Sequence, residues 1–273
     1  MSTVSVVIPA YNSESFIGAT IESILSQTYT DFALTVIDDV STDHTEEIVK
    51  KYQDARIRYI KNEKNLGLTG NFDHCLDFMR DAKYGLLICN DDIIEKGYLR
   101  AKVEAFEKDP GVVLVCNAAS IINTKGKRLF VRKTQKEAVL DGKTAIYRSY
   151  LAGNIFGEPS GVMLRTSVLD TIKGYDQSLK YTLDWEFSVR VAAMGKVAFL
   201  KTPLNSFRVS SGSASSGIIR SRKNVKREHD YVASEIEKIL EIRPGKFLSA
   251  RRAVLFEIRF FLRLFVFRIL SLL

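Results

Sequence analysis

The chain is expected to fold as an α/β protein around a mostly parallel central sheet. Short apolar runs alternate with segments of helical periodicity through residues 1–120. Two of these runs, residues 32–37 and 84–90, stop at paired acids, Asp38-Asp39 and Asp91-Asp92. The composition of the 273 residues, 46% hydrophobic and 26% charged, suits a folded globule rather than a disordered chain. Strands alternating with helices of about 10–15 residues build βαβ units, and βαβ units build parallel sheets.

In order, residues 4–8 read as a buried strand, and Ser13 is placed to cap a helix carrying Phe16, Ile17, Ile21, Ile24 and Leu25 at helical spacing. Residues 34–37 form the next strand. Thr42 or Asp43 then caps a helix with Ile48, Val49 and Tyr52. Residues 57–60 are a short third strand, and 68–79 an amphipathic helix with Phe72, Cys75, Leu76 and Met79 on one side. A strand at 86–89, a helix at 98–106 and a strand at 112–116 complete the alternation. After Asn117 the rhythm loosens. The Lys/Arg-rich residues 123–137 suit a solvated hairpin or a mobile loop, and residues 144–151 a helix. A loop at 153–161 leads into a strand at 162–164, 184–194 is a helix, and the Ser/Gly-rich residues 207–217 suit a lid or linker.

Two parts are expected, a main domain over residues 1–217 and a basic, apolar helical tail over 218–273. The net charge of +8 is concentrated in the second part. Residues 1–217 hold 27 basic and 26 acidic side chains, against 13 and 6 in residues 218–273. A nucleic-acid binder would spread basic residues over its folded surface, so no nucleic-acid partner is expected. Cys75, Cys89 and Cys116 lack metal-ligand spacing, and an odd count argues against a disulfide framework. They read as small buried hydrophobes. The first residues run straight into a strand without a basic leader or cleavage site, so no signal peptide is read and a cytoplasmic location is expected.

If the apolar runs are parallel strands, both acid pairs emerge at the carboxyl edge of the sheet, where open α/β sheets bind ligands. Crowded carboxylates need a compensating cation or hydrogen bonds. A divalent metal carrying phosphates supplies this, because Mg²⁺ and Mn²⁺ prefer oxygen ligands. Asp38 or its neighbour can accept from a nucleobase or ribose, with Tyr11 as a stacking ring. Alternatively Asp38 and Asp43 only cap turns and the next helix.

Four motifs in order resemble glycosyltransferase family 2: Val4-Ser-Val-Val-Ile-Pro-Ala-Tyr-Asn12, Val36-Ile-Asp-Asp-Val-Ser-Thr-Asp43, Asn65-Leu-Gly67 and Asn90-Asp-Asp92. The likeness covers roughly residues 3–210. It implies a GT-A fold and an inverting transfer from a sugar nucleotide. By position, Pro9 and Tyr11 would line the base pocket. Asp39 would bind base or ribose with Asp38 and Asn65 beside it, Asp91 would face the ribose and share the metal site, and Asp92 would hold Mn²⁺ or Mg²⁺ against the diphosphate. Asp184, in Tyr181-Thr-Leu-Asp-Trp-Glu186, would be the catalytic base that takes the acceptor proton. Trp185 is either a sugar platform or a core anchor. Glu186 and Glu158 are candidate acceptor contacts, and Gly174-Tyr-Asp176 is either a turn or a substrate contact.

The chain departs from the family pattern at Ser210, where many members place a histidine after an arginine; Arg208 is expected to meet the diphosphate. The Gln-x-x-Arg-Trp motif of processive synthases is missing, which favours addition of one sugar. None of the three histidines suggests a ligand set. A phosphatase or nucleotidyltransferase is disfavoured, since Pro9-Ala-Tyr-Asn12 stands where a nucleophile pair would be and no Gly-rich phosphate loop occurs. A non-catalytic nucleotide-sugar-binding module stays open.

Residues 253–273 hold 16 apolar side chains of 21, interrupted by Glu257, Arg259, Arg263, Arg268 and Ser271. Several mid-span charges argue against a transmembrane helix. With Arg252, Arg259 and Arg263 on one face and Phe256, Phe260, Phe267 and Leu270 as apolar area, a helix lying on an anionic membrane is expected. The competing readings are a helix that makes a homo-oligomer or one that packs on the catalytic domain. The expected protein is therefore a metal-dependent transferase using a nucleoside-diphosphate sugar, UDP-linked by preference. Its expected acceptor is a saccharide or lipid-linked saccharide at the inner membrane face, in polysaccharide assembly.

Overall fold

The structure is a computed structural model and describes residues 2–133, 136–210 and 221–270, with side chains of the last helix through Leu262 together with Leu264 and Phe265. One sheet organises it. Strands β1 (Val4–Ala10), β2 (Phe32–Asp38), β3 (Ile57–Lys61) and β4 (Tyr84–Leu87) form its parallel half, in the spatial order β3-β2-β1-β4. The short β5 (Ile93–Ile94) leaves that half. Strands β6 (Val112–Ile122), β7 (Arg128–Arg132), β8 (Ala138–Asp141), β9 (Val162–Arg165) and β10 (Lys196–Arg208) build the other half, joined through antiparallel β9. There β6 and β10 run parallel, while β7 and β8 pair antiparallel with them.

Helices cover both faces, as a parallel core requires. They are α1 (Ile17–Leu25), α2 (Thr45–Lys50), α3 (Gly67–Asp77), α4 (Tyr98–Lys108), α5 (Gly142–Ala152), α6 (Leu183–Ala192), α7 (Arg222–Leu240) and α8 (Lys246–Leu270). The two-residue period of β1 divides the core. Val4, Val6 and Ile8 face α1 and α4, while Val7 joins the layer formed by α3, α5, α6 and α7. All seven β1 residues are buried.

Several boundaries differ from the sequence expectation for local reasons. Ser13 does not cap α1. Its hydroxyl accepts from the Tyr11 N–H, and its carbonyl closes a turn with Phe16 and Ile17. The thirteen-residue β10 was not expected at all. Gly174, at φ 113°, packs where a Cβ would lie 1.9 Å from Asp73 Oδ1, and Tyr175 stacks 4.3 Å from Phe187. Gly174-Tyr-Asp176 is thus a structural turn. The expected lid or linker falls mostly on residues 211–217, and the boundary at 217/218 likewise lies outside the described residues.

The tail packs on the main domain. Val232, Ala233 and Ile236 of α7 share the core of α5 and α6. On α8, Phe256 and Phe260 are buried against Val225, and Arg252 lies 4.9 Å over the Tyr150 ring while donating to Glu237. This corrects the expected faces: Arg252, Phe256 and Phe260 serve the interior. Phe247, Val254, Ile258, Phe261, Leu262 and Phe265 are the exposed apolar set among the described side chains of α8. The side chains of Arg263, Phe267, Arg268 and Leu270 lie outside those described.

Helix α4 reaches the site from behind. Tyr98 and Lys102, one turn apart, are fully buried. The Tyr98 hydroxyl donates to Ser160 O at 2.8 Å, and Lys102 Nζ donates to Gly161 O at 2.7 Å and Val115 O at 2.9 Å. Burial depresses the Lys102 ammonium to about 7. Between that value and the ordinary lysine range the unfolded chain holds the extra proton, so stability should rise with pH from about 7 upward. Denaturant titrations of wild type and Lys102→Met are expected to show wild type gaining on the variant between about pH 7 and about pH 9. Parallel pH dependences would contradict this.

Candidate active site

The carboxyl edge of the parallel half carries the first acid pair. Ala10 pairs with Asp38 in register, and the Asp39 N–H donates to Ala10 O at 2.8 Å. Asp38 is fully buried. Its oxygens accept from the Ser41 N–H and the Tyr59 hydroxyl, and that bracing holds Val40 at a φ of 64°, unusual for a β-branched residue. Asp38 is therefore a strut of the turn, which corrects its expected donor contact. Asp39 points the other way. Its carboxylate accepts from the Leu66 and Gly67 N–H groups at 2.7 and 2.9 Å and from Asn62 Nδ2, and Asn65 Nδ2 donates to its carbonyl. Asn65 and half-exposed Tyr11 stand at the open rim, whereas Pro9 is buried inside β1.

The second pair is held by a different device. Ile93–Ile94 pairs antiparallel with Asn205 and Ser206, which brings the end of β10 alongside Asp92. The Arg208 N–H donates to Asp92 Oδ1 at 3.0 Å. Asp92 Oδ2, also buried, has no hydrogen-bond partner. Burial and then the neighbouring Asp91 charge push the Asp92 carboxyl well above the usual carboxylate range. The guanidinium of Arg208 donates to the carbonyls of Asp91, Asn123 and Thr124 and lies 4.5 Å over the Phe16 ring. Arg208 is thus a brace with its donors directed at backbone, which corrects the expected diphosphate contact.

An orphaned carboxylate oxygen beside a second, part-buried carboxylate is a fitting donor set for a hard divalent cation. Among the described residues no group of three or more His, Cys, Asp or Glu surrounds one point. Asp92 and Asp91 therefore suit an ion that completes its shell with phosphate oxygens and water.

Asp184 opens α6. Asn154 Nδ2 donates to its Oδ2 at 3.0 Å, fixing the carboxylate against the 153–158 loop. The start of α6 is anchored from α7, where buried Glu228 Oε2 accepts from the N–H groups of Lys180, Tyr181 and Thr182 at 3.2, 2.8 and 3.1 Å. A carboxylate on several backbone donors at a helix start is a favourable arrangement. Trp185 is buried, donates through Nε1 to Ser149 Oγ and lies against His229. It is the core anchor, not an open platform. Glu186 is also buried and spent on Arg190. That corrects its expected acceptor contact. Glu158 pairs with Arg132 and keeps its place beside the cavity.

Part-buried Cys89, whose N–H donates to Ser160 Oγ, has its thiol pushed up by burial and then by Asp92, Asp91 and Asp184. Asp184 also lines a cavity of about 380 Å³ whose walls include Asn154, Glu158, Phe130 and Phe260. Sequence reasoning missed Ser160, Asn154 and Glu228 as site supports. Ser160 and Asn154 sat in loops already noted, but Glu228 had been counted only as tail charge.

A sheet of this topology with an acidic carboxyl edge defines a GT-A glycosyltransferase. The sequence profile described as Glycosyl transferase family 2 matches residues 5–172, and the chain belongs to that family. It is 31% identical over 194 residues to an uncharacterized glycosyltransferase of Methanocaldococcus jannaschii, covering 70% of this chain and 64% of that one. It is 40% identical over 92 residues, 34% of this chain and 36% of the other, to the Escherichia coli UDP-Glc:alpha-D-GlcNAc-diphosphoundecaprenol beta-1,3-glucosyltransferase WfaP. The chain thus spans under two thirds of the length of either relative. Among solved structures, S. aureus TarS with UDP-GlcNAc superposes with a TM-score of 0.67 at 20% identity, covering 87% of this chain and 70% of that one. The Pyrobaculum calidifontis mannosyltransferase PcManGT, with GDP-Man and Mn2+, gives 0.57 at 15% identity, covering 93% and 74%. At these identities the structural matches show the fold alone.

Proposed function

We propose that this glycosyltransferase moves one sugar, with inversion, from a UDP-linked donor to a hydroxyl of a lipid-linked saccharide in polysaccharide assembly. The observation that supports it most is the acid pair Asp91-Asp92 with Asp92 Oδ2 buried and unpartnered, together with Asp184 facing a cavity. Tyr11 and Asn65 form the rim on which the nucleoside packs, with buried Asp39 holding the Leu66–Gly67 turn beneath it. Asp92, with Asp91 beside it, would hold Mn²⁺ or Mg²⁺. Such an ion, when bound, stabilises the negative charge that grows on the departing diphosphate.

On the opposite side, Asp184 takes the proton of the acceptor hydroxyl as its oxygen bonds to the anomeric carbon. The bond from that carbon to the diphosphate breaks, and its electron pair leaves with the nucleotide. Asn154 keeps the carboxylate aimed during this step. The UDP-linked donor and the lipid-linked acceptor agree with the reaction named for WfaP. The exposed apolar face of α8 supports a peripheral position on the inner face of the cell membrane. Among the described residues no helix is long and apolar enough to cross a membrane.

Calorimetry is expected to show UDP binding that requires Mn²⁺ and is lost in Asp92→Asn. Asp184→Asn should keep that binding and lose transfer by roughly 10²–10⁴-fold. Normal transfer by Asp184→Asn would remove the base assignment, and binding without transfer by wild type would leave a non-catalytic module. Replacing Phe261 and Phe265 by Ser is expected to abolish flotation with anionic liposomes; unchanged flotation would remove the membrane assignment.

A further inference from the structure

The cavity that Asp184 faces has apolar side chains on its rim from two separate elements. Phe130 of β7 and Leu262 of α8 both line it, yet they are 44% and 57% exposed. A side chain that lines a cavity and still meets solvent stands at its mouth. Phe261 and Phe265 add exposed apolar surface on α8, and Val131 adds it on β7.

The β6–β7 hairpin is also strongly basic. Residues 124–133 carry Lys125, Lys127, Arg128, Arg132 and Lys133 and no acidic side chain, whereas basic and acidic residues nearly balance over residues 1–217. Arg132 pairs with Glu158, and the other four are exposed. The turn between the strands fixes where these charges sit. Asn123 Oδ1 accepts from the N–H groups of Lys125 and Lys127 at 3.1 and 2.9 Å, and Gly126 takes a φ of 77°. Arg208 donates to the Asn123 and Thr124 carbonyls at 3.0 Å each, while its own N–H holds Asp92. The hairpin is thus tied to the acid pair. Lysines on an edge strand can serve only to block strand pairing. That role leaves exposed Phe130 and Val131 unexplained, since apolar side chains there work against it.

Cations beside exposed aromatic and aliphatic side chains suit an anionic lipid interface, where phosphates meet the charges and apolar groups enter the acyl boundary. We propose that the β6–β7 hairpin is a second contact with an anionic lipid surface, so that together with α8 it seats the mouth of the Asp184 cavity against lipid. A lipid-borne acceptor then reaches Asp184 from the surface that carries it. Two contacts on one body also hold more tightly than either alone. The inference deepens the peripheral position proposed above and rests on the transferase reading for what enters the cavity.

Flotation of the full chain is measured with vesicles of phosphatidylcholine alone and of phosphatidylcholine mixed with phosphatidylglycerol. Lys125→Gln with Lys127→Gln is expected to lower partitioning to the mixed vesicles by at least about tenfold and to leave the neutral vesicles unaffected. High salt should erase that difference. Lys125→Arg with Lys127→Arg should partition as wild type does, which a merely disturbed turn would not allow. Phe261→Ser with Phe265→Ser should instead lose both vesicle types. In Phe130→Trp, brominated phosphatidylcholine in the mixed vesicles should quench the added fluorescence, with wild type, whose lone Trp185 is buried, as the reference. Undiminished partitioning of the doubly neutralised variant would overturn the assignment. Charge-dependent binding without quenching in Phe130→Trp would point to a soluble polyanion and overturn it equally. Manganese-dependent UDP binding is measured on the same proteins and should not respond to the hairpin changes. Its absence throughout, with vesicle binding intact, would fell the transferase reading and leave the lipid contact standing, so the two failures are distinguishable.

Discussion

A buried carboxylate that is only partly compensated governs the architecture around it. Asp92 is fully buried, one oxygen fixed by a backbone N–H and the other without a partner. Leaving such a group charged in a low-dielectric setting is costly, and burial moves it toward its neutral form. A folded protein keeps such a group only where its surroundings hold it in place. Here β5 and β10 align its loop, and Asn90 is tied to Ser13 on the β1–α1 connection and to Thr20 of α1. Ser160 supports Cys89 from below, and Tyr98 and Lys102 hold the Ser160 turn from α4. Each support comes from a different stretch of chain, which makes the position rigid.

The base side is built from separate parts. Asn154 orients Asp184, Glu228 gathers three N–H groups ahead of α6, and Trp185 wedges between Ser149 and His229. From there an aromatic column continues through His229 to Phe256 and Phe260, with ring centres 4.9, 5.0 and 5.8 Å apart. The last two helices are therefore mechanically continuous with the start of α6 and Asp184.

Much of the donor half was legible because its signals are local. An apolar run ending in Asp38-Asp39 is a strand followed by its edge, and the apolar run of β1 marks a buried strand. Legibility failed where partners are distant. Strand β10 is interrupted by Lys201-Thr202-Pro203, and its register with β6 shifts at that point, so no continuous apolar run marked it. The burial of Asp38 depends on Tyr59, and the engagement of Arg208 depends on three carbonyls far away in sequence. In the tail, the helical wheel found the arginines and phenylalanines but not which side the domain would cover. Phe256 and Phe260 went inward because Val225 and His229 were waiting for them.

The most direct test is anomalous diffraction from crystals grown with UDP and Mn²⁺. The cation should lie roughly 2.0–2.6 Å from Asp92 Oδ2, in the range of hard-cation–oxygen bonds, with the diphosphate between it and the cavity that Asp184 faces. A bound nucleotide that left Asp92 Oδ2 unligated, or a cation held at some other cluster, would contradict the site described.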